Sequence, residues 1–263
     1  MKKTLKTSVY LFLFSFCLLL TDIASAEISS MPSAINKAGR QRMLTQRIVA
    51  TYCQIGLDIK TQKSREQLKK SIKLFDEQLS ELKSFRPEGK INQQLMRVEK
   101  LWKPFKKIAT LGVKRENAEE LWLLAEDTLR ASQRVVIMLE DESQTHFHRL
   151  VNISGRQRML SQRMSSLYMM QVWKFTSNEY TDNYSIAINE FKGALFELMK
   201  SKHNTDDINH QLKKVKREFG MLERSLKQKE GEFIPLLVKL SADKLLTNMD
   251  EITHKYESVA HNL

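Results

Sequence analysis

Apolar residues recur three or four positions apart in nearly every long segment of this chain. Between residues 64 and 85, a single apolar stripe along a helix is formed by Leu68, Ile72, Phe75, Leu79 and Leu82. The chain contains only eight glycines and four prolines, and runs of β-branched residues are few. This pattern predicts an all-α protein without a sheet.

The same spacing, together with turn and cap residues, predicts eight helices. They begin near residues 33, 64, 91 and 117 in the first half of the chain, and near 151, 182, 206 and 236 in the second. We expect Ser33, after Pro32, to cap the first helix. Pro104 should kink or end the third, because proline lacks the N–H that a helix interior uses. No glycine or proline lies between Gly112 and Gly155, so the fourth helix can continue directly into the fifth.

One thirteen-residue stretch occurs twice, at residues 35–47 and 151–163. The first copy reads INKAGRQRMLTQR and the second VNISGRQRMLSQR, so nine of the thirteen positions are identical. Two of the remaining differences exchange similar residues, Ile for Val and Thr for Ser. Such identity at a fixed offset of 116 residues indicates an internal repeat.

The repeat extends beyond this motif. Phe75 matches Phe191 at the same offset, and we align Leu124 of the fourth helix with Leu240 at that offset too. The sequence therefore predicts two units of ordinary domain size, residues 27–140 and 141–263. Each unit is expected to be an up-down four-helix bundle, in tandem with the other.

The repeated motif, Asn-x-x-Gly-Arg-Gln-Arg-Met-Leu-Ser/Thr-Gln-Arg, resembles the PilJ-type domain. That domain is the periplasmic N-terminal region of type IV pilus methyl-accepting chemotaxis transducers. The motif is also similar to the P-box of nitrate/nitrite sensor kinases, although the P-box has Ser-Leu where this chain has Arg-Gln in both copies. The resemblance implies four-helix units. From the sensor kinases it also implies an oxyanion, nitrate or nitrite, held between arginines of two facing motif helices.

Carried over residue by residue, the P-box arginine matches Arg42 and Arg158, and its glycine matches Gly39 and Gly155. The candidate ligand-binding residues are therefore these four and their motif neighbours Asn36, Arg40, Asn152 and Arg156.

The motif residues by themselves leave two interpretations open. Each copy carries three arginines within eight residues and no acid. The planar arginine fork suits carboxylate-like or trigonal oxyanions, and a glycine without a Cβ allows a close approach, so an anion clamp is one interpretation. In the other, the arginines are solvated or pair with acids of other helices, such as Glu126, Asp127, Glu140 or Asp243.

The first 26 residues read as a secretory signal peptide. Three lysines precede a short apolar run at residues 9–20, and Ala24-Ser25-Ala26 forms a small-x-small cleavage site. The alternative is an uncleaved membrane anchor, but the apolar run is shorter than the roughly 20 residues that a spanning helix needs. We expect export to the periplasm, with cleavage after Ala26.

The remaining composition excludes several functional classes. The net charge of +12 favours anionic partners, but the lysines are spread along helices, so a nucleic-acid partner is not expected. His146 and His148 are two positions apart on a helix and make a poor metal pair. Cys53 is the one cysteine left after cleavage, so no intrachain disulfide can form. We find no catalytic constellation and expect no enzyme, no cofactor and no metal.

These observations predict a periplasmic sensory or binding protein for a small oxyanion. No second apolar span, kinase or methyl-accepting module follows the bundles, so the signal is expected to pass to a membrane-bound partner. The alternative is a structural or adaptor protein of the cell envelope that binds no ligand. If the chain turns back between Asp141 and Leu150, the two motifs share one site; if it does not, each pairs with its copy in a homodimer.

Overall fold

The computed structural model describes residues 28–86, 88–143, 146–226 and 234–261. Within these ranges the chain forms eight α-helices, one short 3-10 helix and no strand, which confirms the all-α prediction. The helices are α1 (Met31–Gly56), α2 (Thr61–Phe85), α3 (Gly89–Thr110), α4 (Ala118–Ser143), α5 (His146–Val172), α6 (Asn178–Lys200), α7 (Asp206–Leu226) and α8 (Pro235–His261), with the 3-10 helix at Arg115–Asn117. The expected signal peptide lies outside the described residues, as do Pro87 and Gly231, where the sequence predicts chain breaks between helices.

Each half of the chain runs up and down as four helices. In the first half, α1 packs against α2 and α4, and α3 packs against α4. In the second half, α5 packs against α6 and α8, and α7 packs against α8. The two halves join along α1 and α5, which carry the two motif copies, and one continuous apolar core runs through both halves.

Helices α1 and α5 are parallel neighbours. Near the middle of the pair, the Ser166 hydroxyl donates to Oε1 of Gln46 at 3.1 Å. Towards the C-terminal ends, Sγ of Cys53 lies 3.5 Å from Sδ of Met170, and Gly56 lies against the Trp173 ring. Contacts that advance together along both helices require a parallel arrangement.

The expectation that α4 could run straight into α5 is wrong. Helix α4 ends at Ser143 and α5 begins at His146, and both helices pack on α1 in opposite directions. No glycine or proline marks this reversal. The physical reason is packing: both helices bury their apolar faces against the same central helix only if the chain turns back between them.

Two helix boundaries also differ from the sequence-based expectation. Ser30, not Ser33, caps α1: its Oγ accepts from the N–H of Ser33 at 3.4 Å, and Pro32 lies in the first turn. A proline is well tolerated there because its missing N–H has no partner within the helix. Pro104 lies inside α3, which continues to Thr110 because Phe105 and other apolar residues after it are buried.

The alignment of Leu124 with Leu240 is wrong by one residue. Leu124 packs partly against the core, whereas Leu240 is 50% exposed. An offset of 117 instead superimposes the buried faces of α4 and α8. One residue corresponds to about 100° of rotation around a helix, so the correct offset decides which side chains face the motifs.

Candidate functional site

The two motif glycines and the two motif arginines predicted from the sequence lie together between α1 and α5. A Cβ on Gly39 would lie 3.2 Å from Nη2 of Arg42 and 3.5 Å from Nη2 of Arg158. A Cβ on Gly155 would lie 3.2 Å from Nη2 of Arg158 and 3.7 Å from Nη2 of Arg42. Both guanidinium groups therefore lie over both glycines, and the missing side chains make the room that they occupy.

Arg42 is fully buried and has only uncharged partners. Its Nη1 donates to Oε1 of Gln133 on α4 at 2.5 Å, and its Nη2 donates to the backbone carbonyl of Asn152 on α5 at 3.4 Å. In the part of the chain that the structure describes, no carboxylate forms an ion pair with this guanidinium, and its Nε has no hydrogen-bond partner.

Arg158 has the matching geometry but a charged partner. Its Nη2 donates to the backbone carbonyl of Asn36 on α1 at 3.2 Å, and its Nη1 donates to Oδ1 of Asp250 on α8. Asp250 also accepts from Nη2 of Arg40 at 2.7 Å. Like Arg42, Arg158 is fully buried, and among the described residues its Nε lacks a partner.

Burial and like charges perturb this cluster electrostatically. Burial is the main reason why the pKa of Arg42 falls to about 9; the positive charges of Arg156 and Arg158 lower it further, and the negative charge of Glu140 opposes the shift. Burial likewise lowers the pKa of Arg158 to about 10, although Asp250 opposes that shift. Burial acts to raise the pKa of Asp250, but Arg158 and Arg40 outweigh it and hold that pKa at about 2. At neutral pH, Arg42 and Arg158 are therefore protonated and Asp250 is ionised.

The side chains of the two motif asparagines bond to glutamates of outer helices, and their backbone carbonyls bond to the buried arginines. Nδ2 of Asn36 donates to Oε2 of Glu257 on α8 at 2.5 Å, and Nδ2 of Asn152 donates to Glu140 on α4. Their backbone carbonyls accept from the arginine of the opposite helix. Each asparagine thus links an outer helix to the α1–α5 interface.

Arg40 and Arg156 do not join the buried pair. Arg40 forms an ion pair with Asp250, and Arg156 pairs with Glu190 on α6 at 2.9 Å, both at partly exposed positions. Arg163, the last arginine of the second motif, pairs with Glu126 at 2.6 Å. These three arginines therefore pair with acids of other helices, as the second interpretation of the motif expected, whereas Arg42 does not.

Sequence reasoning missed Gln133 and Asp250, which contact the two buried guanidiniums from α4 and α8. The signal was present: these residues are 117 positions apart, the offset that superimposes the fourth helices of the two halves. Glu140 and Glu257 are related in the same way. The one-residue misalignment of α8 concealed both equivalences.

In the described ranges, no group of three or more histidine, cysteine or acidic residues is arranged to hold a metal ion. Over the same ranges, no helix combines the length and apolarity that crossing a membrane requires.

The fold and the site define a class: an up-down helical-bundle protein with a buried arginine pair at the interface between two repeated helices. Within that class, part of the chain is similar to the PilJ domain. Residues 23–128 match this family model, which is described as the type IV pili methyl-accepting chemotaxis transducer N-term. The match confirms the PilJ resemblance for the first unit and covers less than half of the 263 residues. No curated protein and no solved structure matches the chain.

Proposed function

We propose that this protein is an exported sensory or binding protein that holds one small oxyanion, nitrate or nitrite, between Arg42 and Arg158. The observation that carries the proposal is a pair of fully buried guanidiniums of which, among the described residues, Arg158 is bonded directly to a carboxylate and Arg42 is not. Taking a positive charge out of water costs several kcal/mol unless an opposite charge or strong hydrogen bonds compensate for it. A bound anion would supply that compensation at Arg42.

The arginine geometry suits a small planar anion. Nη2 of Arg42 and Nη2 of Arg158 both lie within 3.5 Å of the position that a Cβ on Gly39 would occupy. One anion between the two guanidiniums, beside the glycines, is therefore within reach of both. The two unpartnered Nε–H groups provide further donors, and hydrogen bonds from a charged donor to an anion are about twice as strong as neutral ones.

The parallel packing of α1 and α5 supports a site that is complete within one chain. Both motifs face each other at the same level of the bundle, so a second chain is not needed to bring two motif arginines together. We therefore propose one anion per chain. A homodimer with two unlike sites is the competing arrangement.

The PilJ description supports a sensory role, because it refers to the N-terminal region of chemotaxis transducers. We propose that the signal peptide directs the chain to the periplasm and that a membrane-bound partner receives the signal. Anion binding at the α1–α5 interface would be passed on as a change in the packing of the two halves. We propose no catalytic activity.

A structural or adaptor role without ligand binding is the second candidate. It is favoured by the crossed hydrogen bonds in which Nη2 of each buried arginine donates to the backbone carbonyl of the opposite motif helix. These bonds would hold α1 and α5 together even without an anion.

The experiment is calorimetric titration of the mature protein with nitrate, nitrite and other anions, combined with thermal melts. We expect one nitrate per chain and a rise in Tm with nitrate, since a ligand that binds only the folded state stabilises it. Arg42→Ala and Arg158→Ala should each weaken binding by about 1.5–3 kcal/mol, the size of a hydrogen bond to a charged group.

The control is Arg130→Ala, because Arg130 is exposed and, among the described residues, forms its ion pair with Asp127 on its own helix. This variant should bind like the unaltered protein. If no anion binds or raises Tm, while both buried-arginine variants lose stability, the structural role replaces the sensory one.

A further inference from the structure

We infer that Gln133 and Asp250 set the charge of the anion that the arginine pair accepts, and that the site selects a singly charged oxyanion over a doubly charged one. This inference rests on the proposed function. It assigns specificity to two residues of α4 and α8 that lie outside the repeated motif.

Gln133 and Asp250 occupy equivalent places in the two halves. Each accepts a hydrogen bond from Nη1 of the buried arginine in its own half, Arg42 or Arg158. The two positions are 117 residues apart in the sequence, the offset that superimposes α4 and α8. The two halves therefore differ at one decisive contact, where one has an amide and the other a carboxylate.

The other acids around the pair do not reproduce this difference. Glu140 and Glu257 are equivalent residues, one in each half, and each accepts from a motif asparagine. Arg156 at the edge has a carboxylate of its own, Glu190. Among the described residues, the difference between the halves is therefore that Arg158 is bonded directly to a carboxylate and Arg42 is not.

This asymmetry predicts the preferred ligand charge. Asp250 is bonded directly to Arg158, and to Arg40 as well, whereas the corresponding partner of Arg42 is the uncharged amide of Gln133. A singly charged anion at Arg42 would give that guanidinium the charged partner that Arg158 already has in Asp250. A doubly charged anion would add a second negative charge beside Asp250 at two buried guanidiniums, where water screens like charges less than at the surface.

Two nearly isosteric exchanges test the inference by changing only the charge. Gln133→Glu gives Arg42 its own carboxylate, so nitrate affinity should fall at least about tenfold, since the ligand then competes with a charge-assisted hydrogen bond. Asp250→Asn removes the built-in carboxylate, so nitrate should bind more tightly and sulfate binding should appear. Binding is measured by calorimetry on the mature protein with nitrate and with sulfate.

Matched controls carry the same charge changes elsewhere. Gln93→Glu adds a carboxylate at an exposed position of α3, and Asp127→Asn removes one from an exposed position of α4. Both should leave nitrate and sulfate binding within about twofold of the unaltered protein, because exposed charges are screened by salt.

Each outcome decides one question. If the unaltered protein binds no anion, the proposed function fails and this inference fails with it. If it binds nitrate and Gln133→Glu binds as well as Gln93→Glu does, the inference is overturned while the anion site stands. Sulfate binding by the unaltered protein as tight as that of nitrate also overturns it. Should Asp250→Asn fail to fold, Gln133→Glu alone decides.

Discussion

The contact between Gly56 and Trp173 gives a direct test of how α1 and α5 pack. A Cβ added to Gly56 would lie 2.1 Å from Cζ2, 2.3 Å from Cη2 and 2.9 Å from Cε2 of the Trp173 ring. Three ring atoms at such distances cannot be accommodated unless the ring moves. The ring also packs against Tyr52, at 6.3 Å between centroids, and the Trp173 carbonyl accepts from Nε of Arg115.

Gly56→Ala should therefore destabilise the protein even though alanine favours helices. Forcing an extra methyl into a packed interface costs about 1–3 kcal/mol. The gain in helix propensity is at most about 1 kcal/mol, and it is smaller at the last residue of a helix. We expect a net loss of about 1–2 kcal/mol in the free energy of unfolding, measured by urea denaturation followed by far-UV circular dichroism.

Gly193→Ala is the matched control, because Gly193 lies within α6 and nothing lies within 4 Å of its Cβ position. That variant should gain about 0.5–1 kcal/mol from helix propensity alone. If Gly56→Ala stabilises the protein as much as Gly193→Ala does, Trp173 does not pack on α1 as described. The parallel arrangement of the motif helices would then lose one of its contacts.

Two further predictions follow from the buried titratable groups. Because Arg158 and Arg40 hold the pKa of Asp250 at about 2, below its ordinary value of 3.8, the stability from this carboxylate is complete above about pH 4 and is lost as the pH falls towards 2. When the free energy of unfolding is measured against pH, it should fall less steeply between about pH 4 and 2 in Asp250→Asn than in the unaltered protein. An equal slope in both proteins would contradict the pairing of Asp250 with the arginines. Cys53 is buried and its pKa is raised by burial, so the thiol of the mature protein should react with a thiol reagent only after denaturation. Rapid labelling of the native protein would show that the core around it is open.

Much of the fold follows from local pattern. The three-to-four spacing specifies the helices because each must bury one stripe, and the stripe that includes Phe75 lies buried as predicted. The clustering of Gly39 with Arg42 was also predictable, because these residues are one turn apart on the same helix.

The remaining features depend on tertiary structure. No local residue signals the reversal between α4 and α5, since it follows from the need of both helices to pack on α1. The misalignment of α8 has a physical origin as well. The second unit has one additional residue before α7, and leucines spaced three and four apart allow chance matches when the alignment is one residue out. Gln133 and Asp250 could be assigned to the site only when that offset was correct.

The duplication has a consequence for how the arginine pair behaves on dilution. When two separate chains each supply one arginine, the site exists only above the concentration at which they associate, and its apparent affinity depends on how much protein is present. Here the two arginines belong to one polypeptide, and the covalent link keeps their effective concentration constant. Under the proposed function, the same ligand level should therefore occupy this site whether a cell makes few copies of the protein or many.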